Sequence, residues 1–234
     1  YISMSDVIFK DSYCHFHPFR RFKIDLRNEI ITYKGEAKVE TAPETYLSPS
    51  EWHKVLTEEK DFVVIDTRND YETRVGKFQG AIDPDIKNFS DFDKFLAEQN
   101  YSKDKKLLFY CTGGVRCEKL LVDLKSQGYE NIYQLHGGIL KYMEEYPEGG
   151  TFDGECYVFD HRVAVRSDLS PSNTYTLCPH CGDPASVKVN CELCDKPSTL
   201  CQRCEQSLGF AACSKNCLHH LGRRQKNFEK SENI

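Results

Sequence analysis

The sequence predicts a parallel α/β sheet flanked by helices, with smaller pieces of other domains before and after it. Three observations carry this. Short apolar runs at 62–65, 107–110 and 131–135 read as strands buried on both faces. Amphipathic stretches of crossover-helix length separate them, the spacing of strand–helix–strand units. Eight of the twelve cysteines crowd in close pairs between Cys178 and Cys217, which sets the C-terminal region apart as a metal-dependent appendage.

At 234 residues, 39% of them hydrophobic and 29% charged, the chain suits one good core and a smaller module. No apolar run reaches membrane-spanning length and no signal-peptide pattern is present, while the paired clustering of the cysteines favours metal and a reducing cytoplasm. A formal charge of −5 excludes nucleic-acid binding by bulk charge. Eight thiolates with two Zn²⁺ would deepen it to about −9. Any RNA contact must therefore be local.

Residues 1–40 read as the C-terminal part of an N-terminal domain. Phe16, Phe19, Phe22, Ile24 and Leu26 alternate around Arg20, Arg21 and Lys23, predicting a strand, with a partner at Ile30, Ile31 and Tyr33. Two such strands cannot fold alone. The chain opens on Tyr1 rather than Met, so the rest of that domain is expected upstream. The basic residues fit a solvated strand face and an RNA-contacting one equally.

The sheet domain is expected over 45–147. Ser48-Pro49-Ser50-Glu51 is a helix start, with Ser48 as cap, Pro49 in the first turn and Glu51 three residues after the cap. Trp52, Val55 and Leu56 give that helix its buried face. The strand at 62–65 runs into Asp66-Thr67-Arg68-Asn69-Asp70-Tyr71-Glu72 before a small helix. Asp66 and Arg68, at a strand's C-terminal end, could brace a neighbouring loop or bind substrate; as isolated residues they would be a surface ion pair of little worth. An amphipathic helix at 89–99, a strand at 107–110, a helix at 115–127 ended by Gly128 and a strand at 131–135 follow. His136-Gly137-Gly138-Ile139 then turns into a helix reaching about Tyr146. Residues 148–176 read as a linker with one strand near Cys156 and a mobile part at 168–173. The cysteine module occupies 177–220. A basic tail, 221–234, carries Arg223 and Arg224, either as a solvated helix end or as RNA contacts.

The apolar run Leu107–Tyr110 delivers Cys111 into a turn of Thr112, Gly113, Gly114, Val115 and Arg116 that opens the next helix. Glycines let several N–H groups curl inward, and the helix dipole adds positive charge, which makes an anion cradle. A thiol there should be largely thiolate near neutral pH, and Arg116 adds a full charge nearby. Cys111 and Arg116 have four residues between them; cysteine phosphatases have five. The tighter Cys-x4-Arg loop resembles the active site of rhodanese-type sulfurtransferases, whose cysteine carries a persulfide. Asp66-x-Arg68-x3-Glu72 and Gly80-Ala81-Ile82-Asp83-Pro84 also resemble that family.

Cys178/Cys181, Cys191/Cys194, Cys201/Cys204 and Cys213/Cys217 supply the ligands for two structural zinc ions, four sulfurs each. With few apolar residues between the pairs, metal would replace a core. The sequence leaves the pairing open, with a slight preference for a cross-brace (first with third pair, second with fourth) over sequential sites. All positions on each ion would be filled, so the module is structural or RNA-facing rather than catalytic.

The combined motifs FHPFRRFKIDLRNEIITYKG, IDTRNDYE, GKFQGAIDPD, YCTGGVRCEK, QLHGGILKY and VFDHRVAV closely resemble the bacterial tRNA uridine(34) hydroxylases, over about residues 10–165. The resemblance implies a ferredoxin-like α+β domain ahead of a rhodanese-like one, which would account for the strands at 10–34. It implies oxygen-dependent conversion of the wobble uridine to 5-hydroxyuridine on the tRNA anticodon stem-loop, with molecular oxygen as co-substrate; no nucleotide cofactor is evident in the sequence. Cys111 is then the essential residue. Cys117 is either a second participant or a helix residue packed beneath the loop. Sulfur transfer through a Cys111 persulfide is the alternative activity.

Overall fold

The computed structural model describes residues 14–21, 23, 25–26, 31–33 and 43–232, with side chains at all of them but 43 and 227–232. Four parallel strands form the main sheet: β1 (Tyr46–Leu47), β2 (Val63–Asp66), β4 (Leu107–Tyr110) and β5 (Ile132–Leu135), in the order β1-β5-β4-β2. A bridge from Ile82 to Ile65 extends the sheet beyond β2. β4 is buried at all four positions, and its side chains alternate between two cores. Leu107 and Phe109 face one, Leu108 and Tyr110 the other. A strand covered on both faces has no polar side to show, which is why LLFY is wholly apolar or aromatic.

On the first face lie α3 (Phe92–Gln99) and α4 (Val115–Ser126), through Phe92, Leu96, Leu120, Leu121 and Leu124. The second face holds α1 (Pro49–Glu58) and α5 (Gly138–Glu145), through Trp52, Val55, Ile139, Tyr142 and Met143. The start of α1 is as its sequence predicts: the Glu51 N–H donates to the Ser48 hydroxyl and the Glu51 carboxylate accepts from the Ser48 N–H. The stretch at 89–99 begins with a tighter 3-10 turn, Phe89–Asp91, before α3. A short α2 (Asp70–Thr73) and β3 (Gly76–Phe78) follow β2.

The segment predicted as a linker is instead packed. β6 (Phe152–Gly154) pairs antiparallel with β3, and β7 (Cys156–Tyr157) with β8 (Ala164–Val165). Phe152, Cys156, Val158 and Val165 belong to the second core. Residues 168–173, expected to be mobile, are tied back: Pro171 bridges Val165, and the Ser172 N–H donates to the Ala164 carbonyl at 2.9 Å. Scattered polar residues hid this, because the buried positions are too few to make a periodic pattern.

The cysteine module contains β9 (Thr176–Leu177) with β10 (Pro184–Ala185), the hairpin β11 (Val187–Asn190) with β12 (Pro197–Leu200), α6 (Gln202–Ser207) and α7 (Lys215–Glu232). At the other end, the predicted strand at 16–26 is not found at the described residues 14–21, which form bends. Of its expected partner, Tyr33 is buried on the first core, stacked on Phe89 at 5.3 Å with its hydroxyl donating to Asp123. Most of the expected ferredoxin-like part lies outside the described residues. No helix among the described residues is long and apolar enough to cross a membrane.

Candidate active site and metal centres

β4 carries Cys111 to the C-terminal edge of the sheet, between β2 and β5, where α/β folds place their sites. The chain turns at Gly114, whose φ of +97° would strain any other residue. That turn aims the Gly114 N–H at the Cys111 sulfur, 3.0 Å away. Gly114 also caps α4, so the sulfur faces the positive end of that helix. Behind the loop, the N–H groups of Ile139 and Leu140 in α5 donate to the carbonyls of Cys111 and Thr112 at 3.0 and 3.2 Å. Gly138 permits this approach: a Cβ there would sit 2.6 Å from both carbonyl oxygens.

Cys117, in the first turn of α4, is fully buried and packs in the same core as Cys111, whose charge it influences. The Thr67 hydroxyl lies 3.6 Å from the Cys117 sulfur. The Cys117 contact is the strongest influence drawing the Cys111 pKa down to about 6, against burial, which opposes it; the Arg116 charge and the amides of residues 116 and 117 add to it. Burial pushes Cys117 well above the usual thiol range. The two shifts run in opposite directions, so the loop favours the anion on Cys111 over Cys117, and the thiolate is the nucleophile.

Arg116 does not reach into the loop as a free charge. It forms a two-pronged ion pair with Glu72, both N···O distances being 2.7 Å. Glu72 is fully buried and also accepts from the Thr112 hydroxyl at 3.3 Å and the Asn69 N–H at 3.1 Å. It thus fastens the loop to the N-terminus of α2. Burial alone would weaken the Arg116 charge, but Glu72 outweighs it and holds the guanidinium firmly protonated. Sequence reasoning gave Glu72 no role. The usable signal was Asn69-x-x-Glu72, a capping-box spacing that fixes the carboxylate at the end of a buried turn.

Asp66 and Arg68 are not a surface pair. Both side chains are wholly buried; Arg68 grips both carboxylate oxygens, with a shortest distance of 2.6 Å, and donates to the Gly76 carbonyl. With no atom open to solvent they cannot bind substrate, and of the two expected roles only bracing remains. Cys156, beside them in the second core, has its thiol pushed up to about 12 by burial. Gly113 is half-buried and Val115 is exposed at the loop's rim. Arg20, Arg21 and Lys23 are exposed, with Lys23 paired to Asp25. Arg223 and Arg224 are exposed on α7, beyond the cysteine module.

The eight clustered cysteines form two groups, Cys178/Cys181/Cys201/Cys204 and Cys191/Cys194/Cys213/Cys217, the interleaved pairing. None of the twelve is in a disulfide. The sulfur separations are 3.4 Å (Cys181–Cys201), 3.7 Å (Cys194–Cys213), 4.0 Å (Cys194–Cys217) and 3.6 Å (Cys213–Cys217). Four sulfurs set tetrahedrally at ~2.3 Å around one ion lie about 3.8 Å apart, so each group could hold a metal. The first two knuckles share one turn: Gly182 and Asp195, each just after the second cysteine, have positive φ and donate to the carbonyl of the first.

Residues 49–145 match the rhodanese-like domain, and residues 153–218 match the Rhodanase C-terminal family. A tRNA uridine(34) hydroxylase of Bdellovibrio bacteriovorus is 48% identical over 224 residues, covering 94% of this chain and 63% of that protein. One of Legionella pneumophila is 45% identical over 169 residues, covering 70% and 66%. The chain thus spans just under two thirds of the length of these relatives. Among solved structures, the rhodanese-like domain from Anabaena sp. aligns with a TM-score of 0.39 at 22% identity, covering 47% of this chain and 79% of that one. With both matched regions in order, and this identity along nearly its whole length, the chain is similar to the tRNA uridine(34) hydroxylases over the part of them that it spans.

Proposed function

We propose that this protein converts the wobble uridine of tRNA to 5-hydroxyuridine in the cytoplasm, with molecular oxygen as co-substrate and Cys111 as the reacting group. The observation that carries the reading is the Cys111 sulfur, drawn down to about 6 and held by the Gly114 amide and the Cys117 thiol. The curated relatives' name supports the substrate. C5 of uracil is a poor partner for O₂ unaided. Addition of the Cys111 thiolate at C6 puts enolate charge on the ring, which C5 can hand to O₂. One oxygen atom stays on C5; the other leaves as water once a two-electron reductant and two protons are supplied. Expulsion of the thiolate and loss of the C5 proton restore the ring. The loop amides are the natural oxyanion donors, since Arg116 is committed to Glu72. The wobble base must be splayed from its stack to enter the loop.

The two cysteine groups would hold structural zinc, saturated by sulfur and without an open position for catalysis. They, with the basic residues near Arg20 and Arg223, would hold the anticodon stem-loop. On this reading 1–40 ends a ferredoxin-like domain, 45–147 is the catalytic domain and 177–220 is the zinc module. The Cys-x4-Arg loop and the rhodanese-like match also favour a second reading, a sulfurtransferase with a Cys111 persulfide.

Incubation with unmodified tRNA in air and under nitrogen, followed by nucleoside mass spectrometry, separates them. One added oxygen on wobble uridine, absent without O₂ and absent with Cys111→Ala, is the expected result. A mass gain matching sulfur would replace hydroxylation by thiolation. Hydroxylation that survives Cys111→Ala would refute the role of Cys111.

A further inference from the structure

β7 ends at Tyr157, and the turn after it carries Phe159 outward, 59% exposed. The rings of Tyr157 and Phe159 meet edge to face at 5.0 Å. The 14–21 segment lies opposite, tied down by the His161 N–H donating to the Pro18 carbonyl at 2.8 Å. It brings Phe19, 62% exposed, and the side chains of Arg20 and Arg21 to the same surface hollow. Among the described residues Asp160 is the hollow's only acid, and Arg162 holds it in a two-pronged pair with a shortest distance of 2.6 Å. Among the described residues no carboxylate pairs with Arg20 or Arg21. The hollow adjoins the Cys111 loop: the Arg116 guanidinium stands 5.9 Å from the centre of the Phe159 ring.

Large aromatic side chains left open to water, with unneutralised guanidinium groups beside them, are what an unpaired nucleotide needs. The ring stacks the base and the arginines take the phosphate. An acidic peptide would use the arginines but leave the rings unexplained. In a chain of net charge −5 this cationic and aromatic spot is local, not a sample of the general surface. We propose that the hollow holds an unpaired nucleotide adjacent to the reacting uridine, its base on Phe159 and its phosphate on Arg20 and Arg21. The choice of strand rests on the tRNA reading above. Holding the neighbour there would keep the wobble base out of its stack and over Cys111.

The test uses the full chain and a fluorescent anticodon stem-loop RNA, intact or abasic at either neighbour of the wobble position. Phe159→Ala should weaken binding of intact RNA roughly 5- to 100-fold, the usual worth of one base–aromatic stack, and Phe159→Trp should restore it. With the RNA abasic at the contacted neighbour, wild type and Phe159→Ala should bind alike. Arg20→Ala with Arg21→Ala should lower the slope of log affinity against log salt by about one to two, while Phe159→Ala leaves the slope unchanged. A Phe159→Ala loss equal on intact and all abasic RNAs, or no loss, overturns the assignment. So does free uridine monophosphate competing as well as the RNA. Wild type that hydroxylates while Phe159→Ala binds normally sinks the hollow alone. Ring-dependent binding without hydroxylation sinks the hydroxylase reading and leaves the hollow as an RNA site.

Discussion

Replacing Cys117 by Ala should disarm Cys111 without touching it. The Cys111 pKa falls from 9.0 to about 6, a thousandfold in favour of the anion, and the Cys117 hydrogen bond is the largest contributor. A hydrogen bond to a charged group contributes about 1.5–3 kcal/mol. At 1.36 kcal/mol per pH unit, its loss should raise the pKa by about one to two. The alkylation midpoint of Cys111 should therefore move from about 6 to roughly 7–8, while Cys117→Ser, which keeps a donor, should stay near wild type. Brief iodoacetamide pulses across pH, then trypsin and mass spectrometry, isolate the signal, since cleavage after Lys106 and Arg116 leaves Cys111 as the sole cysteine of its peptide. The folded-state value lies below that of the free thiol. The anion's contribution to stability is thus complete above about pH 9 and is lost as pH falls through about 6. A Cys117→Ala midpoint that coincides with wild type would refute the reasoning and transfer the effect to Arg116 and the loop amides.

Three further outcomes follow from the same geometry. Glu72→Gln leaves the Arg116 charge buried and short of its partner, and should cost about 3–5 kcal/mol in urea unfolding; an unchanged midpoint would contradict the pairing. Gly138→Ala drives a Cβ to 2.6 Å from two loop carbonyls at a φ of +69°. It should cost about 1–3 kcal/mol in thermal unfolding and slow Cys111 alkylation by displacing the loop. For the metal groups, Cys178→Ser with Cys204→Ser should leave about one zinc per chain by atomic absorption, whereas Cys178→Ser with Cys213→Ser should leave about none. Sequential sites would leave the first double variant as empty as the second.

The sheet strands and the loop could be read from the sequence because each is a local signal: LLFY has no polar face to lose, and Gly113-Gly114 can serve only a turn. Strand and helix limits shifted by one to three residues, as hydrogen bonding at element ends is set by neighbours. What escaped the reading was contact across distance. Arg116 and Glu72 are 44 positions apart, and nothing local says that a guanidinium at a loop's end meets the cap of another helix. Asp66 and Arg68 looked like surface charges because burial depends on β3 and β6 closing over them, strands three residues long with little pattern of their own. The turn at Gly182 was visible as a glycine, while the equivalent turn at Asp195 was not.

The interleaving of the two sulfur cages constrains how the module can be made and rearranged. As the chain is synthesised, neither cage is complete until Cys204 has been added, and the second waits for Cys217. A stop anywhere between 194 and 200 therefore leaves two half-built cages, where a sequential arrangement would have closed one at Cys194. The same holds for inheritance. Cutting out the first two cysteine pairs as a block would halve both cages instead of removing one, so the module cannot shrink to a single finger or grow by duplicating half of itself. It is gained or lost as one piece.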